Sequence, residues 1–183
     1  MSTLLLGAAL VGYLLGSLSP ATLVARARGV DLRGVGSGNP GASNAGRVLG
    51  RRTGVLVAVL DVLKGLVPAA GFGLLSHEAG LVAGAAAVIG HVTSPLLRGR
   101  GGKGVATALG AVLASHPAWA PVVLLVWLLV LAGSRWIALA SVCSALSLVV
   151  VAVVTHEDLP WAGLLFLVVL VRHRANFLRR PGR

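Results

Sequence analysis

Residues 54–75, GVLVAVLDVLKGLVPAAGFGLL, decide the fold of this chain. The run is long enough to cross the hydrocarbon core of a bilayer as a helix, which takes about 20 apolar residues. Its Leu, Val and Ala residues are continuous and lack the period-two alternation of a membrane β-strand. The stretch therefore predicts a transmembrane helix, although it contains two charged residues, Asp61 and Lys64.

The rest of the chain repeats this pattern. Of its 183 residues, 56% are hydrophobic and 11% are charged, whereas soluble domains carry about 25% charged residues. Apolar helical segments are predicted at 4–24, 54–75, 79–97, 104–114, 119–132, 136–154 and 161–171. The fourth, fifth and seventh are short for a full span. We predict an all-α, polytopic integral membrane protein, with residues 1–183 forming a single domain, a seven-helix bundle with some short or partial helices.

The cations behind the formal charge of +11 are concentrated in alternate loops. Lys and Arg lie in alternate connections, at 26–52, 98–103, 135 and 172–183, whereas the start of the chain and residues 76–78, 115–117 and 155–160 have none. The positive-inside rule then predicts an outside N-terminus and a cytoplasmic C-terminus. A cleaved signal peptide is the rival interpretation of the first segment, but its cations follow the apolar run. Because the cations separate membrane segments, they do not indicate a nucleic-acid partner.

The stretch from Val35 to Arg47, VGSGNPGASNAGR, is rich in glycine and neutral donors. Glycines free the backbone to turn N–H groups toward one point, and such nests bind phosphate. A solvated turn is the alternative, since Gly, Asn, Pro and Ser are common turn residues. The flanking arginines favour an anion site, with candidate ligands Gly36, Ser37, Gly38, Asn39, Gly41, Ser43 and Asn44.

A second cationic loop, residues 98–107 (RGRGGKGVAT), combines glycines, Lys103 and a predicted helix start. A helix N-terminus attracts anions. The loop lacks the Walker spacing, because Lys103 is followed by Gly104 instead of Ser or Thr, so a nucleoside triphosphate is not expected. It predicts a site for a phosphate monoester or acyl phosphate, with candidate ligands Gly101, Gly102, Lys103, Gly104 and Thr107.

Polar residues inside apolar segments are further candidates. Asp61 and Lys64 lie three residues apart and can pair on one helix face, so a structural salt bridge and a substrate role are equally compatible with the sequence. His91 suits packing as well as binding. Near the C-terminus, His173 and Asn176 share a helix face, next to arginines that suit anionic lipid.

Several chemistries are not indicated by the sequence. The single Cys143 allows no intrachain disulfide. The five histidines are spread over both faces, and no carboxylate-rich pair lies beside two of them, so we predict no metal and no cofactor. No Ser-His-Asp set is evident. An enzyme built from these residues would act by positioning substrates and neutralising charge.

The motifs occur together and in order. They are Gly16-Ser17 with Arg26, residues 36–44 (GSGNPGASN), residues 61–65 (DVLKG), Gly90-His91 before Pro95, residues 101–107 (GGKGVAT), and Arg172-His173 with Asn176. Over essentially its whole length the chain resembles the bacterial acyl-phosphate:glycerol-3-phosphate acyltransferases of the PlsY type.

The resemblance implies a seven-helix enzyme of the bacterial cytoplasmic (inner) membrane with its active site on the cytoplasmic side. It implies acyl transfer from acyl phosphate to the 1-hydroxyl of sn-glycerol 3-phosphate, giving lysophosphatidic acid and phosphate, without a side-chain nucleophile. Ser17, Arg26, Lys103, His173 and Asn176 resemble the family's active-centre residues. Lys64, His91 and Ser141 are added to the substrate-binding candidates of the two glycine loops. The expected partners are these two substrates and membrane lipids, and the expected state is a monomer.

Three positions depart from the family pattern. Ser43 replaces a more usual Thr, Ala138 stands where a serine is common, and the tail after Asn176 lacks an acidic residue.

Two other functions are compatible with the composition. A transporter of a phosphorylated solute would use the short helices to form a midplane site, although its outer loops would lack cations. A bundle with only a structural or lipid-binding role is the third interpretation.

Overall fold

A computed structural model describes residues 1–178 of the chain, and all regular secondary structure in that part is helical. The expected cluster of Arg179, Arg180 and Arg183 lies outside the described residues. The chain divides into two compact units, Met1–Ser115 and the residues from His116 onward. Among the described residues, five stretches are long and apolar enough to cross a membrane: Ser2–Arg26, Arg51–Gly73, His77–Leu97, Ile137–Thr155 and Leu159–Leu178. The all-α membrane prediction is thus confirmed.

The first segment, predicted over 4–24 with an interruption at Ser17, Ser19 and Pro20, is broken in two. Helix α1 is Ser2–Ser17 and helix α2 is Pro20–Arg26. Pro20 excludes the helical conformation from the preceding residue, and Ser19 is extended with φ −115° and ψ 92°. The Ser19 hydroxyl accepts a hydrogen bond from the Thr22 N–H, which caps the start of α2. The break therefore follows directly from the local sequence.

The predicted loop 35–47 is only partly a loop. Its second half forms helix α3, Ala42–Leu49, which begins after Gly41 and ends at Gly50 with φ 93°. Gly46 of α3 packs against Gly54 of the next helix, so the two backbones approach closely. Ala45 and Val57 share a small apolar cluster with Ala21, Ala25 and Leu32. Tertiary packing thus orders a stretch that its composition marks as a turn.

Helix α4, Arg51–Gly73, and helix α5, His77–Thr93, run antiparallel through a short turn. A 3₁₀ turn, Pro95–Leu97, follows α5 and leads into helix α6, Val105–Ser115. Helix α5 packs mainly on α1, and α6 packs mainly on α4. These four helices form the body of the first unit, and they place the 26–50 and 98–104 connections at the same end of α4 and α5.

The helix crossings of the first unit are made by small residues. A Cβ on Gly12 or Gly16 of α1 would collide with the backbone carbonyl of Ala83 or Ala87 on α5. The α4–α6 crossing is built in the same way, because Gly65 lies against the Thr107 carbonyl and Gly110 against the Val62 carbonyl. Such close backbone approach is how apolar helices associate without a hydrophobic driving force.

The second unit contains helices α7 (Ala120–Ser134), α8 (Ile137–Thr155) and α9 (Leu159–Leu178). They pack in chain order, α7 on α8 and α8 on α9. The expectation that the seventh segment is short was wrong, since α9 has 20 residues and continues through the Arg172–Arg174 stretch. Helices α6 and α7, with 11 and 15 residues, are short as predicted.

Candidate functional site

The break between α1 and α2 leaves the backbone carbonyls of Ser17 and Leu18 without their helical hydrogen-bond partners. The Ser17 hydroxyl donates to the Tyr13 carbonyl at 2.7 Å, and the residue is buried. The Ser17 carbonyl accepts from the Ser94 hydroxyl at 2.6 Å. The Leu18 carbonyl accepts from Lys64 Nζ at 2.7 Å. Side chains from α4 and from the end of α5 therefore replace the hydrogen bonds that the break removes.

The predicted pairing of Asp61 and Lys64 is present in the structure. Lys64 Nζ lies 3.0 Å from Asp61 Oδ1, and only 7% and 4% of the two side chains are exposed. Burying either charge alone would be costly, so each makes burial of the other tolerable. The lysine uses its ammonium for both the carboxylate and the Leu18 carbonyl.

His91 joins the same buried group. Its Nδ1 lies 3.6 Å from Asp61 Oδ1, and the residue is 7% exposed. The other side of the imidazole ring faces the second glycine loop, where a Cβ on Gly102 would collide with the ring. The Gly102 N–H donates to the His91 carbonyl at 3.1 Å, and the Gly101 N–H donates to the Val92 carbonyl at 3.2 Å. The second loop is thus folded onto the end of α5.

This arrangement changes the expected role of the glycines in the second loop. Two of the N–H groups expected to face an anion are used to cap the carbonyls of α5. Gly101 and Gly102 are required because any Cβ would collide with His91, and Gly104 has φ 84°, which favours glycine. Lys103, half-buried, directly precedes this turn into α6.

Helix α6 begins at Val105 within the same loop, and the N–H groups of a first helical turn lack intrahelical acceptors. Thr107 lies in this turn. Its side chain is completely buried, and its hydroxyl has no hydrogen-bond partner among the described residues. A positive helix end, a lysine and a buried hydroxyl therefore follow one another here.

The first glycine loop is built around the side chain of Asn44. The Asn44 Nδ2 donates to the carbonyls of Leu32 and Val35, both at 3.1 Å, and its Oδ1 accepts from the Ser37 N–H at 2.8 Å. Asn44 is fully buried. Gly36 has φ 61° and lies so close to the Asn44 amide that a Cβ would collide with it.

We expected the backbone N–H groups of this loop to converge on an anion. Several of them are instead bonded within the loop. The N–H groups of Gly38 and Gly41 donate to the carbonyls of Val35 and Asn39, within the loop. Asn44 was expected to donate a hydrogen bond to an anion, but its side-chain amide instead bonds to the backbone of the loop. The physical reason is that a short loop must satisfy its own backbone before it can bind a ligand.

The cations around the first loop are on the surface of the unit. Arg26 is the last residue of α2 and is exposed. Arg28 donates to the Leu49 carbonyl at 3.3 Å and to the Thr53 hydroxyl at 2.8 Å. Arg47 donates to the Ser43 hydroxyl at 3.2 Å. Arg28 thereby ties the start of the 26–50 connection to its end.

The second unit contains the remaining candidates. His173 is 1% exposed, and its Nδ1 lies 2.8 Å from the Val169 carbonyl. Because a carbonyl can only accept, Nδ1 carries the proton, and in the neutral ring the lone pair is on Nε2. Asn176 is half-buried one turn further along α9. Ser141 is buried and donates to the Ile137 carbonyl at 2.8 Å.

Comparison with known proteins identifies the family. The sequence model described as Glycerol-3-phosphate acyltransferase matches residues 6–180 of the chain. The chain belongs to the glycerol-3-phosphate acyltransferase family. The glycerol-3-phosphate acyltransferase of Aquifex aeolicus (strain VF5) is 42% identical over 174 residues, which cover 91% of this chain and 90% of that protein. The one of Myxococcus xanthus (strain DK1622) is also 42% identical, over 95% of this chain and 94% of that protein.

Two crystal structures of PlsY (YgiH), an integral membrane glycerol 3-phosphate acyltransferase, resemble the fold. The glycerol 3-phosphate form superposes with a TM-score of 0.89 at 40% identity and covers 96% of this chain and 90% of that one. The lysophosphatidic acid form gives a TM-score of 0.87 at 38% identity, with the same coverage. The chain is therefore a multi-pass membrane acyltransferase, and the predicted family is confirmed.

Within this acyltransferase, the first unit brings together several residues that the sequence singled out. Lys64 and His91 both lie beside Asp61, the Gly101-Gly102 pair packs on His91, and Lys64 bonds the Leu18 carbonyl next to Ser17. The second unit places His173 and Asn176 on one helix, as their spacing predicts. Ser94, which bonds the Ser17 carbonyl, was missed. Its signal is its place before Pro95, where a helix ends and a side chain can reach a neighbouring backbone.

Proposed function

We propose that this acyltransferase uses acyl phosphate as its donor and sn-glycerol 3-phosphate as its acceptor. The products are 1-acyl-glycerol 3-phosphate, which is lysophosphatidic acid, and inorganic phosphate. The observation that carries the proposal is the match over 96% of the chain to a relative crystallised in a glycerol 3-phosphate form. The same relative has a lysophosphatidic acid form, which suits the proposed product.

The charge distribution supports a pair of phosphate-bearing substrates. Two glycine loops with neighbouring cations lie at the same end of α4 and α5, and the short helix α6 begins directly after the second of them. A phosphorylated acceptor and a phosphorylated donor each need charge neutralisation. Lys103 at the start of α6 and Arg26 at the end of α2 are suited to that purpose.

In the proposed reaction, the 1-hydroxyl oxygen of glycerol 3-phosphate attacks the carbonyl carbon of acyl phosphate. The new C–O ester bond forms as the C–O bond to phosphate breaks, and phosphate leaves with the electron pair. The hydroxyl proton is taken up by a phosphate oxygen of the substrates. No side-chain nucleophile is required, so the protein contributes by positioning the two substrates and stabilising negative charge.

Each candidate residue has a proposed role. In the first unit, Ser17, Arg26 and Lys103 are catalytic, and the two glycine loops bind phosphate. In the second unit, His173 and Asn176 are catalytic and Ser141 binds substrate.

The positive-inside distribution supports a cytoplasmic-membrane enzyme whose glycine loops face the cytoplasm, where both phosphorylated substrates are soluble or membrane-associated. We further propose that one chain suffices for activity, as a single domain without a metal or a cofactor.

The test is a comparison of donors with the purified, detergent-solubilised protein. Acyl phosphate with glycerol 3-phosphate should yield lysophosphatidic acid and one equivalent of phosphate, followed by mass spectrometry and phosphate release. Acyl-CoA and acyl carrier protein should give no product. Product from either of these, and none from acyl phosphate, would overturn the donor. Uptake of glycerol 3-phosphate into liposomes without turnover would favour a transporter instead.

A further inference from the structure

The break between α1 and α2 leaves two consecutive carbonyls without intrahelical partners inside a candidate membrane-spanning stretch, Ser2–Arg26. Membrane-embedded backbone must find its hydrogen-bond partners within the protein. The Ser17 carbonyl is satisfied by the Ser94 hydroxyl at 2.6 Å and the Leu18 carbonyl by Lys64 Nζ at 2.7 Å. The two donors come from different elements, so the break is held from the α4 side and from the end of α5 together.

Lys64 can remain buried because Asp61 lies 3.0 Å away on the same helix. The carboxylate orients the ammonium toward Leu18 and compensates its charge. The break in turn fixes where α2 starts, since Pro20 follows two residues after Leu18. Arg26 is the last residue of that seven-residue helix, so a shift of the break would move Arg26 with it.

Asp61 also faces the second loop. Its Oδ1 lies 3.6 Å from His91 Nδ1, and the His91 ring forms the surface on which Gly102 rests. The Gly101 N–H donates to the Val92 carbonyl and the Gly102 N–H donates to the His91 carbonyl, so the loop is held against the end of α5. One carboxylate therefore lies between the helix break before Arg26 and the loop that contains Lys103.

We infer that Asp61, Lys64 and His91 form a positioning network that holds the α1–α2 break and the Lys103 loop in one arrangement, and that Lys64 acts on catalysis through the Leu18 carbonyl. The inference rests on the proposed function for its catalytic consequence. It assigns Lys64 and His91 to positioning instead of direct substrate contact.

The geometry favours positioning over contact. The Lys64 ammonium already has a carboxylate and a carbonyl as partners, and the residue is 8% exposed. A substrate phosphate would have to displace one of them. Arg26 is exposed, so its cation is better placed to meet a soluble anion.

The experiment compares Lys64→Met with the double variant Asp61→Asn/Lys64→Met. The single variant leaves a buried carboxylate without its cation and should lower thermal stability. The double variant removes both charges and should recover most of that stability. It still lacks the donor to Leu18, so hydrogen–deuterium exchange of residues 18–23 should remain faster than in the wild type.

Kinetics provide the second measurement. In the double variant, kcat should fall about tenfold or more, whereas KM for glycerol 3-phosphate should change less than about threefold, because binding groups remain but are misaligned. A double variant with wild-type kcat and wild-type exchange would overturn the inference. Asp61 and Lys64 would then only balance each other's charge and would position nothing. Wild-type exchange with a KM raised about tenfold would also overturn it, by showing substrate contact.

Ser94→Ala provides a milder variant in case the double variant does not fold. It removes the donor to Ser17 without changing charge, and it should raise exchange at the same residues. The matched control is Ser144→Ala, which removes a buried hydroxyl bonded to the Val123 carbonyl at 2.8 Å in the second unit. It should leave exchange at 18–23 unchanged. The exchange measurement needs no substrate, so a failed acyl-transfer assay with altered exchange would refute the proposed reaction but not the network.

Discussion

At the scale of single residues, buried polar side chains of the first unit mostly bond to backbone. Asn44 holds three backbone groups of the first glycine loop, and Ser94 and Lys64 hold the carbonyls of the α1–α2 break. These bonds define loop conformations that the sequence leaves open. We propose that the side chains that meet a ligand are the more accessible ones nearby, such as Arg26 and Lys103.

The contact between Gly102 and His91 leads to a prediction. Gly102→Ala would force a Cβ into the His91 ring and shift the loop next to Lys103. We expect kcat/KM to fall roughly a hundredfold, since small displacements of catalytic groups have effects of that size. Gly71→Ala is the control, because a Cβ there meets nothing within 4 Å. Equal activity of the two variants, measured by phosphate release, would contradict the role of this contact.

A second prediction concerns the two proposed phosphate-binding cations. Lys103→Ala and Arg26→Ala should each reduce kcat/KM by roughly thirtyfold or more, because losing a cation that faces a phosphate costs about 2 kcal/mol or more. Arg135→Ala, an exposed arginine in the second unit, is the matched control. Wild-type rates for Arg26→Ala at equal amounts of folded protein would remove Arg26 from the catalytic set.

Sequence alone could find these residues but not their partners. The Asp61–Lys64 pair follows from their spacing on one helix. Its connection to Leu18 does not, because Lys64 on α4 and Leu18 in the α1–α2 break are far apart in sequence. The same is true of His91 and Gly102, whose contact depends on how the loop folds back on α5.

At the scale of elements, the helices meet where glycine allows backbones to touch. Gly12 and Gly16 of α1 face α5, and Gly65 and Gly110 join α4 to α6. The small-residue spacings in the sequence indicate such crossings in general. Which helix faces which is decided by the three-dimensional packing.

The α1–α5 crossing leads to a prediction about stability. Gly16→Ala would place a Cβ against the Ala87 carbonyl, and pushing two backbones apart should cost about 1–3 kcal/mol. Gly7→Ala on the same helix should be tolerated, since a Cβ there meets nothing within 4 Å. Thermal unfolding in detergent distinguishes the two. A Gly16→Ala protein as stable as Gly7→Ala would show that this crossing can relax.

Element boundaries show where prediction from the sequence fails. The break at Ser19-Pro20 is an exception, because Ser17, Ser19 and Pro20 predict an interruption of the first helix and proline disfavours a helical conformation before it. Helix α3 was missed because Gly, Asn and Ser favour turns, and its order comes from packing Ala45 and Gly46 on neighbouring elements. Helix α9 was predicted too short because its last turns are cationic.

At the scale of the whole molecule, the charge distribution predicts one orientation in the membrane. Leu75, 67% exposed, lies in the cation-free connection between α4 and α5, and Arg100 is exposed in the second glycine loop. In a Cys143→Ser background, Leu75→Cys should react with a membrane-impermeant maleimide from the outside. Arg100→Cys should react only in inverted vesicles. The opposite labelling pattern would reverse the proposed topology and the location of the active site.

The sequence by itself determined that this is a helical membrane protein with two cationic glycine loops, and the order of its motifs determined its family. These properties are local, because hydropathy, charge and short motifs are carried by neighbouring residues. Only the tertiary structure decided that Asn44 holds the first loop, that the second loop caps α5, and that Asp61 lies between the helix break and Lys103. Those contacts join residues distant in the chain, and their geometry depends on how closely glycine lets the helices pack.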